Sequence, residues 1–271
     1  MPRSISRRSF VASCPAVVLI PGIVGPVLAS PESQPPAVDP SAVGFPTQEP
    51  DLVREMVGVA HGNVARVKEL VTRHATLAKA AWDWGFGDWE TALGAASHVG
   101  NREIAEHLLA HGAQPTIFSA AMLGQLEVVK AFLAAAPGIQ RTKGPHGITL
   151  LKHAVGGGPR SQAVVDYLTN VEGADEKPVD RPLSAEDAAM LSGSYAFGPK
   201  STDRIEINYV KGYLMFERVG GTPRGLLHLG AFAFSPAGAD NVRIRFEESA
   251  AGWVVTVHDP GLVLTARKAM G

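Results

Sequence analysis

Four glycines divide the middle of this chain into units with a common pattern. They are Gly62, Gly100, Gly124 and Gly158, and the intervals between them are 38, 24 and 34 residues. A small residue stands four positions before each glycine, and apolar pairs follow three of them eight and nine positions later: Leu70-Val71, Leu108-Leu109 and Phe132-Leu133. Such a register predicts a repeat architecture, in which each unit buries its apolar face only against its neighbours.

Each unit has the pattern of two short helices joined by a tight turn. Ile104, Leu108 and Leu109 share one face of the predicted second helix of their unit. Asn101 directly follows its glycine and is suited to cap that helix. Because one such unit cannot bury its own apolar face, at least three must stack, and the chain offers four.

The unit at residues 88–113 resembles an ankyrin repeat. Its Thr91-Ala92-Leu93 stands where that family has Thr-Pro-Leu, and Leu108-Leu109 followed by Gly112-Ala113 closes the unit as the family does. His146 to Ala154 repeats the opening, Thr116 to Gly124 gives a degenerate version, and the unit from Val53 to about Ala75 lacks it.

The resemblance covers residues 51–172 and implies an ankyrin-type helical solenoid of about four repeats. It implies a non-catalytic scaffold that binds another protein through its finger loops, which connect the units, and through the concave side of the stack. Neither a cofactor nor a metal is expected.

The N-terminus has the order of features of an export signal. Ser6-Arg7-Arg8-Ser9-Phe10 resembles the twin-arginine export motif, an apolar stretch follows it, and Val27-Leu28-Ala29 is an acceptable cleavage site. Residues 1–29 are therefore predicted to be a signal peptide. The mature protein is expected to be soluble in the periplasm and to meet the membrane only transiently, during export.

Removal of the signal peptide changes the composition. The only cysteine, Cys14, is removed with it, which excludes a disulfide and a thiolate-bound metal. The mature chain keeps 22 of the 25 basic residues and all 26 acidic ones, so its formal charge is about −4. This balance argues against a nucleic-acid-binding protein. Residues 30–50 contain six prolines and are predicted to form an extended linker.

The pattern changes after residue 172. Residues 173–183 are polar and contain prolines, as in a hinge, and Ser184 with Asp187 is typical of the start of a short helix. From Gly193 onward the apolar residues alternate. Ile207 and Tyr209 face Leu214 and Phe216 across the Lys211-Gly212 turn. Residues 184–269 are therefore predicted to form a small antiparallel β sandwich or barrel, so the fold class is α + β in separate domains.

This C-terminal part also resembles a known module, the small β domain appended to some beta-lactamase-like serine hydrolases and peptidases. The resemblance is carried by Leu191-Ser-Gly-Ser-Tyr195, Gly212-Tyr-Leu-Met-Phe216, Leu227-His-Leu-Gly-Ala-Phe232, Val242-Arg-Ile-Arg-Phe246 and Leu264-Thr-Ala-Arg267. That domain has no assigned chemistry of its own, so the resemblance implies no hydrolase activity here.

The candidate partner-binding residues are mainly aromatic. Three of the four tryptophans lie within eight residues, and this stretch falls in the finger between the first two units. Tryptophan is enriched at binding hot spots, so the predicted contacts with a partner protein are Trp82, Trp84, Phe86 and Trp89, together with His146. The alternative is that the rings fold back and cover the poorly formed first repeat.

Catalytic signals are weak throughout the sequence. It contains no Gly-x-Ser-x-Gly elbow, and no Ser-x-x-Lys after the signal region. His107 and His111 have a spacing that can hold a metal, but a third ligand is not evident, and His111 near a helix end is suited to a structural role. His98 and His153 are interpreted as packing or hydrogen-bonding residues.

Two alternatives remain open at this point. The β domain could enclose a lipid or peptide, in which case a cavity of several hundred cubic ångströms should be lined by Phe216, Phe232, Phe234, Phe246 and Trp253. An enzyme of unidentified type would need a buried cluster of titratable groups, which only residues distant in the chain could supply.

Overall fold

The structure, a computed structural model, describes residues 47–269, all of which belong to one compact unit. The predicted signal peptide, residues 1–29, and residues 30–46 of the predicted linker lie outside this range. Between residues 47 and 269, none of the helices combines the length and the apolar character that crossing a membrane requires.

Eight helices form four consecutive pairs in the first part of the described chain. The first helices of successive pairs contact one another, α1 with α3, α3 with α5 and α5 with α7. The bounds are α1 Pro50–Val59, α2 Val64–Arg73, α3 Ala92–His98, α4 Arg102–Ala110, α5 Ile117–Met122, α6 Leu126–Ala135, α7 Leu150–Gly156 and α8 Gln162–Thr169.

Two of the four glycines allow the pairs to approach closely. Gly100 and Gly124 both have positive φ values, 75° and 74°. A Cβ atom on Gly100 would lie 1.9 Å from the carbonyl oxygen of Gly156, and one on Gly124 would lie 2.3 Å from that of Arg160. Both the backbone conformation and the space therefore require glycine at these turns.

The predicted helix caps are confirmed. The side chain of Asn63 accepts a hydrogen bond from the backbone N–H of Arg66 at the start of α2, and Asn101 accepts one from Ile104 at the start of α4. These bonds pair N–H groups that the first turn of a helix leaves free. Ile104 and Leu108 are then fully buried on the inner face of α4.

A short β-hairpin connects the first helix pair to the second. Its strands are β1 (Ala81–Asp83) and β2 (Trp89–Thr91), and Trp82 pairs with Glu90. The hairpin tip contains three residues with positive φ, Gly85, Phe86 and Gly87. Thr91 ends β2 and also caps α3, since its hydroxyl accepts from the backbone N–H of Gly94.

Helix α9 (Ala185–Leu191) leads into a closed, eight-stranded antiparallel barrel, which confirms the predicted small antiparallel β fold in the form of a barrel. The strand order around the barrel is β10-β3-β4-β5-β6-β7-β8-β9. The bounds are β3 Gly193–Ala196, β4 Arg204–Val210, β5 Tyr213–Arg218, β6 Arg224–Gly230, β7 Ala233–Pro236, β8 Arg243–Ser249, β9 Gly252–Asp259 and β10 Leu262–Lys268.

The register of the barrel follows the alternation in the sequence. Ile207 pairs with Phe216 across the Lys211-Gly212 turn, as predicted, and Ile244 pairs with Val257. These side chains point inward and are buried, because successive residues of a strand face opposite sides of the sheet.

One end of the barrel contacts the β1–β2 hairpin. The Phe86 ring at the hairpin tip lies 5.4 Å from the ring of Phe216 in β5. Arg224, the first residue of β6, is buried and donates a hydrogen bond to Asp88 just before β2. The hairpin is therefore the element through which the helical region and the barrel share buried polar and aromatic contacts.

Candidate metal centre

Three histidines and one glutamate converge beside the β1–β2 hairpin. They are His61 in the turn after α1, Glu90 in β2, His98 at the end of α3, and His146 in the loop before α7. One potential ligand atom from each residue lies within 4.8 Å of all the others. Four separate segments of the chain thus contribute to a single cluster, called the His₃Glu cluster below.

The distances within the His₃Glu cluster fit a small metal ion. Nε2 of His98 lies 2.9 Å from Glu90 Oε1 and 3.1 Å from Nε2 of His61, and Nε2 of His146 lies 3.3 Å from Glu90 Oε1. A tetrahedral ion with bonds of about 2.0–2.1 Å holds its ligand atoms roughly 3.3 Å apart. These three pairs of ligand atoms therefore have about the spacing of a tetrahedral shell, and all pairs lie within 4.8 Å.

Glu90 is the most unusual member of the cluster. Its side chain is completely buried, and Trp84 Nε1–H donates a hydrogen bond of 2.7 Å to its Oε2. Oε1 has no hydrogen-bond partner, although the ring nitrogens of His98 and His146 lie close to it. A buried carboxylate oxygen without a partner is costly unless a cation neutralises it. Trp84 therefore orients Glu90 so that one oxygen is left for a cation.

His146 is held by a carboxylate and an arginine. Its Nδ1 lies 2.7 Å from Asp88 Oδ2, and its backbone N–H donates a bond of 2.9 Å to Asp88 Oδ1. Arg224 Nη2 donates to the same carboxylate and to the carbonyl oxygen of Ala237. Because a carboxylate only accepts, Nδ1 carries the proton and Nε2 is left facing the cluster. Metal-binding histidines typically have such a carboxylate partner.

The backbone orients His61 in the same way. Nδ1 of His61 lies 3.0 Å from the carbonyl oxygen of Gly58, which can only accept a hydrogen bond. The proton is therefore on Nδ1, and the lone pair of Nε2 faces the other ligands.

His146 has a positive φ of 60°, an uncommon backbone conformation for a residue other than glycine. Its two bonds to Asp88 hold that conformation.

The electrostatics of the His₃Glu cluster favour a cation. Burial alone would raise the pKa of Glu90, but contacts with His146 and His98 hold it at about 2. Burial alone would lower the pKa of His146, whereas its contacts with Asp88 and Glu90 raise it to about 9. In the metal-free protein His146 is therefore protonated at neutral pH and forms an ion pair with Glu90. A metal ion would take the place of that proton, because a metal-bound imidazole is neutral.

The cluster is open to solvent on one side. The side chains of His61 and His146 are 33% and 27% exposed, whereas that of Glu90 is not exposed at all. An ion can therefore reach the ligands from the histidine side, with the carboxylate at the bottom of the site. Imidazole and carboxylate donors suit Zn²⁺ and other divalent transition metals.

The residues predicted to bind a partner lie in different surroundings. Trp82 and Trp84 are half-buried and pack against the helical core, and Phe86 packs against the core of the barrel. Trp89 is 64% exposed. His146 belongs to the His₃Glu cluster. Of the residues predicted to bind a partner, one is therefore an exposed ring, three are half-buried rings and one is a candidate metal ligand.

Of the other histidines that the sequence singled out, three lie outside the cluster. The rings of His107 and His111 are tilted by 43° with centroids 4.3 Å apart, and Nδ1 of His111 bonds to the backbone oxygen of His107. In residues 47–269 no third histidine or carboxylate completes a ligand group around them. His153 is buried and bonds to the backbone oxygen of Thr149. His98, interpreted as a packing or hydrogen-bonding residue, lies 3.1 Å from His61 through the Nε2 atoms and belongs to the His₃Glu cluster.

Sequence reasoning missed His61 and Glu90 as potential ligands, and Asp88 and Arg224 as the residues that orient His146. One signal was available. His61 stands directly before Gly62 and His98 two positions before Gly100, so both precede a glycine of the repeat pattern. Because α1 and α3 contact each other, nearly equivalent positions of the two units lie side by side. No pattern in the sequence brings Glu90 or His146 to that point.

The aromatic residues predicted to line a cavity in the β domain mostly pack against one another. Phe232 contacts Trp253, and Phe234 contacts Phe246, with centroid distances of 5.6 Å in both pairs. Phe216 is the exception, since it lines a cavity at one end of the barrel.

No protein-family model matches the chain, and no curated protein matches it either.

Proposed function

We propose that this protein binds one divalent transition-metal ion, Zn²⁺ by the nature of its donors, through the His₃Glu cluster. The observation that carries the proposal is the convergence of three imidazole rings on Glu90, a fully buried carboxylate whose Oε1 lies 2.9 Å from Nε2 of His98 and 3.3 Å from Nε2 of His146. The ligands would be Nε2 of His61, His98 and His146 together with Oε1 of Glu90. Asp88, Trp84 and the Gly58 carbonyl orient three of these four groups.

The proposed role of the ion is structural. Four protein ligands complete a tetrahedral shell, whereas catalytic zinc sites keep one position for water or substrate. The ligands come from the first helix pair, the hairpin, the second pair and the loop before the fourth pair. An ion bound there would tie these elements together, and its binding energy would add to the stability of the fold.

The metal would stabilise a scaffold that binds another protein. We propose that residues 51–172 are ankyrin-type repeats of an exported, periplasmic protein whose finger loops and concave side contact a partner without catalysis. Two observations support this role. Helices α1, α3, α5 and α7 contact one another in succession, and Trp89 on the hairpin between the first two pairs is largely exposed. The bound ion would rigidify the hairpin that presents Trp89.

A zinc titration of the full chain tests the proposal. After dialysis against a chelator, calorimetry should give one Zn²⁺ per chain with a dissociation constant below about 1 µM, since structural zinc sites contribute 10 kcal/mol or more. The His98→Gln variant should lose at least about a hundredfold in affinity. The matched control is His111→Gln, a histidine at the end of α4 outside the cluster, which should bind zinc as the unchanged protein does.

Binding of a second metal, Co²⁺, tests whether the ligands are arranged as a tetrahedron. Co²⁺ in a tetrahedral site absorbs visible light far more strongly than Co²⁺ in water, so the cobalt-loaded protein should be visibly coloured. Equal zinc affinity of the two histidine variants, or no binding in the unchanged protein, would overturn the proposal.

A further inference from the structure

A second possible binding site lies at the end of the barrel that faces the hairpin. A cavity of about 420 Å³ opens there between the two parts of the described chain. Its walls are mainly apolar, with side chains from the hairpin on one side and inward-facing barrel residues on the other: Trp82, Trp84, Phe86, Phe216, Val257 and Leu264. The volume lies in the range of small-molecule sites, and barrel mouths are frequent places for them.

The hairpin tip only partly closes the barrel. Phe86 has a positive φ of 60° and stands between Gly85 and Gly87, which also have positive φ values. Its ring meets Phe216 edge-on at 5.4 Å. A bulky residue in this backbone conformation is strained, and such strain often marks a functional element. Here it directs an aromatic ring into the barrel end and leaves space beside that ring.

A buried, unsatisfied donor lies in the cavity wall. Arg224 lines the cavity and is 7% exposed; its Nη2 is bonded to Asp88 and Ala237, but its Nε–H has no acceptor. That N–H is itself buried, so a ligand in the cavity does not reach it. The charge of Arg224 is already paired with the carboxylate of Asp88, so Arg224 shapes the wall without offering a free charge.

Two more guanidinium groups lie at the cavity. Arg54 makes only a long contact of 3.5 Å with the Thr222 hydroxyl, and Arg218 lies over the ring of Phe197. In the described part of the chain, neither forms an ion pair. Of the two acidic residues in the wall, Asp83 accepts a hydrogen bond from the backbone N–H of Gly85, and Asp259 lies on the β9 side. Because Arg224 is already paired with Asp88, the guanidinium groups of Arg54 and Arg218 are the ones left to meet an anionic ligand in this part of the described chain.

We propose that this cavity binds a small carboxylic acid with an apolar body. The apolar body packs between Phe86, Phe216 and Leu264, and the carboxylate meets the side chains of Arg54 and Arg218. Binding does not require the metal. Trp84 and Arg224 nevertheless take part in both places, since Trp84 bonds to Glu90 and Arg224 to Asp88. The binding test therefore uses the metal-free protein, so that its outcome is independent of the proposed zinc site.

Three probes with the same eight-carbon chain separate the contribution of the apolar chain to binding from that of the charged group. Octanoate should bind the metal-free full chain and change the fluorescence of Trp82 and Trp84, which line the cavity. 1-Octanol should bind at least about tenfold more weakly, because a charge-assisted hydrogen bond contributes 1.5 kcal/mol or more. Octylammonium should bind most weakly. Equal or tighter binding of the alcohol or the ammonium ion would overturn the proposal, as would no binding of octanoate at millimolar concentration.

Two sets of variants locate the site. Leu264→Trp should fill the cavity and abolish octanoate binding measured by calorimetry, whereas Val210→Trp, at an exposed position of β4 near the opposite end of the barrel, should leave it unchanged. The double variant Arg54→Gln/Arg218→Gln changes only exposed side chains and should keep the fold. It should weaken octanoate binding about tenfold and leave 1-octanol binding as it was. Octanoate binding that neither variant alters would place the ligand elsewhere.

Discussion

The histidines of the helical region lie in two kinds of surroundings. His146 is half-buried beside Asp88 and Glu90, and these carboxylates raise its pKa to about 9 against the effect of burial. His153 is buried beside the backbone oxygen of Thr149 and has no carboxylate partner, and burial lowers its pKa to about 4. Burial and the neighbouring His111 also lower the pKa of His107.

The difference shows what makes buried histidines attract a cation. His107 and His111 repel a further positive charge, and the carboxylate near them, that of Glu103, is exposed rather than buried. The His₃Glu cluster has imidazole nitrogens that converge and two buried carboxylates, one as a ligand and one behind His146. A candidate metal site is therefore distinguished from a group of packed histidines by its buried carboxylates more than by its number of histidines.

The largest expected effect concerns stability in the presence of zinc. With free Zn²⁺ at about a thousand times the dissociation constant, the free energy of unfolding should rise by about 4 kcal/mol. Glu90→Gln removes the buried charge and should abolish this increase, whereas the double variant His107→Gln/His111→Gln should keep it in full. Chemical denaturation with and without zinc measures both. If the zinc-dependent increase in the free energy of unfolding is lost in His107→Gln/His111→Gln and kept in Glu90→Gln, zinc binds at the helical histidine pair and not at the His₃Glu cluster.

The second effect is acid sensitivity that arises from His153. Its folded-state pKa of about 4 lies below the ordinary value of about 6.5, so between these pH values the unfolded chain binds more protons than the folded one. The free energy of unfolding therefore falls as the pH falls from about 6.5 to 4, by on the order of 3 kcal/mol. At pH 7 and above the ring is neutral in both states and contributes no pH dependence.

Urea denaturation of metal-free protein at several pH values measures this effect. In His153→Gln the loss of stability between pH 6.5 and 4 should be smaller by most of that amount, because glutamine does not titrate. His74→Gln is the matched control, since His74 is a half-exposed histidine at the end of α2. If both variants and the unchanged protein lose the same free energy of unfolding between pH 6.5 and 4, then His153 does not have the lowered pKa that its burial indicates.

Much of the secondary structure could be predicted from the sequence because its causes are local. Gly100 and Gly124 mark turns that only glycine can form, and Asn63 and Asn101 cap the helices that follow. In the barrel, the alternation of residues such as Ile205 and Ile207 determines which side chains face inward. The closure of the strands into a barrel was one of two predicted outcomes, since alternation alone does not distinguish a barrel from a sandwich.

The candidate sites could not be predicted in the same way because they depend on distant parts of the chain. Glu90 and His146 are 56 positions apart, and Arg224, which holds Asp88, lies in the barrel. The local sequence around an aromatic residue also does not show whether its side chain is buried. Trp84 and Trp89 belong to one aromatic stretch, yet the first is half-buried against Glu90 and the second is largely exposed.

The smallest expected effect examines whether the barrel helps to position the metal ligands. A Cβ atom on Gly238, in the loop after β7, would lie 2.7 Å from Oδ1 of Asp88. Gly238→Ala should therefore displace Asp88, loosen His146 and weaken zinc binding about tenfold, the lower end of the range for changes behind a metal ligand. Calorimetric zinc titration of the variant measures the change.

Gly212→Ala provides the control for backbone strain. Gly212 also has a positive φ, 92° against 83° for Gly238, but no other atom lies within 4 Å of a Cβ atom at this turn. Both variants should lose roughly 1 kcal/mol of stability, because alanine is strained at positive φ. Only Gly238→Ala should also lose zinc affinity. Equal zinc affinities would mean that Asp88 and the barrel loop behind it do not orient His146, and that the carboxylate which contributes to the cluster is Glu90 alone.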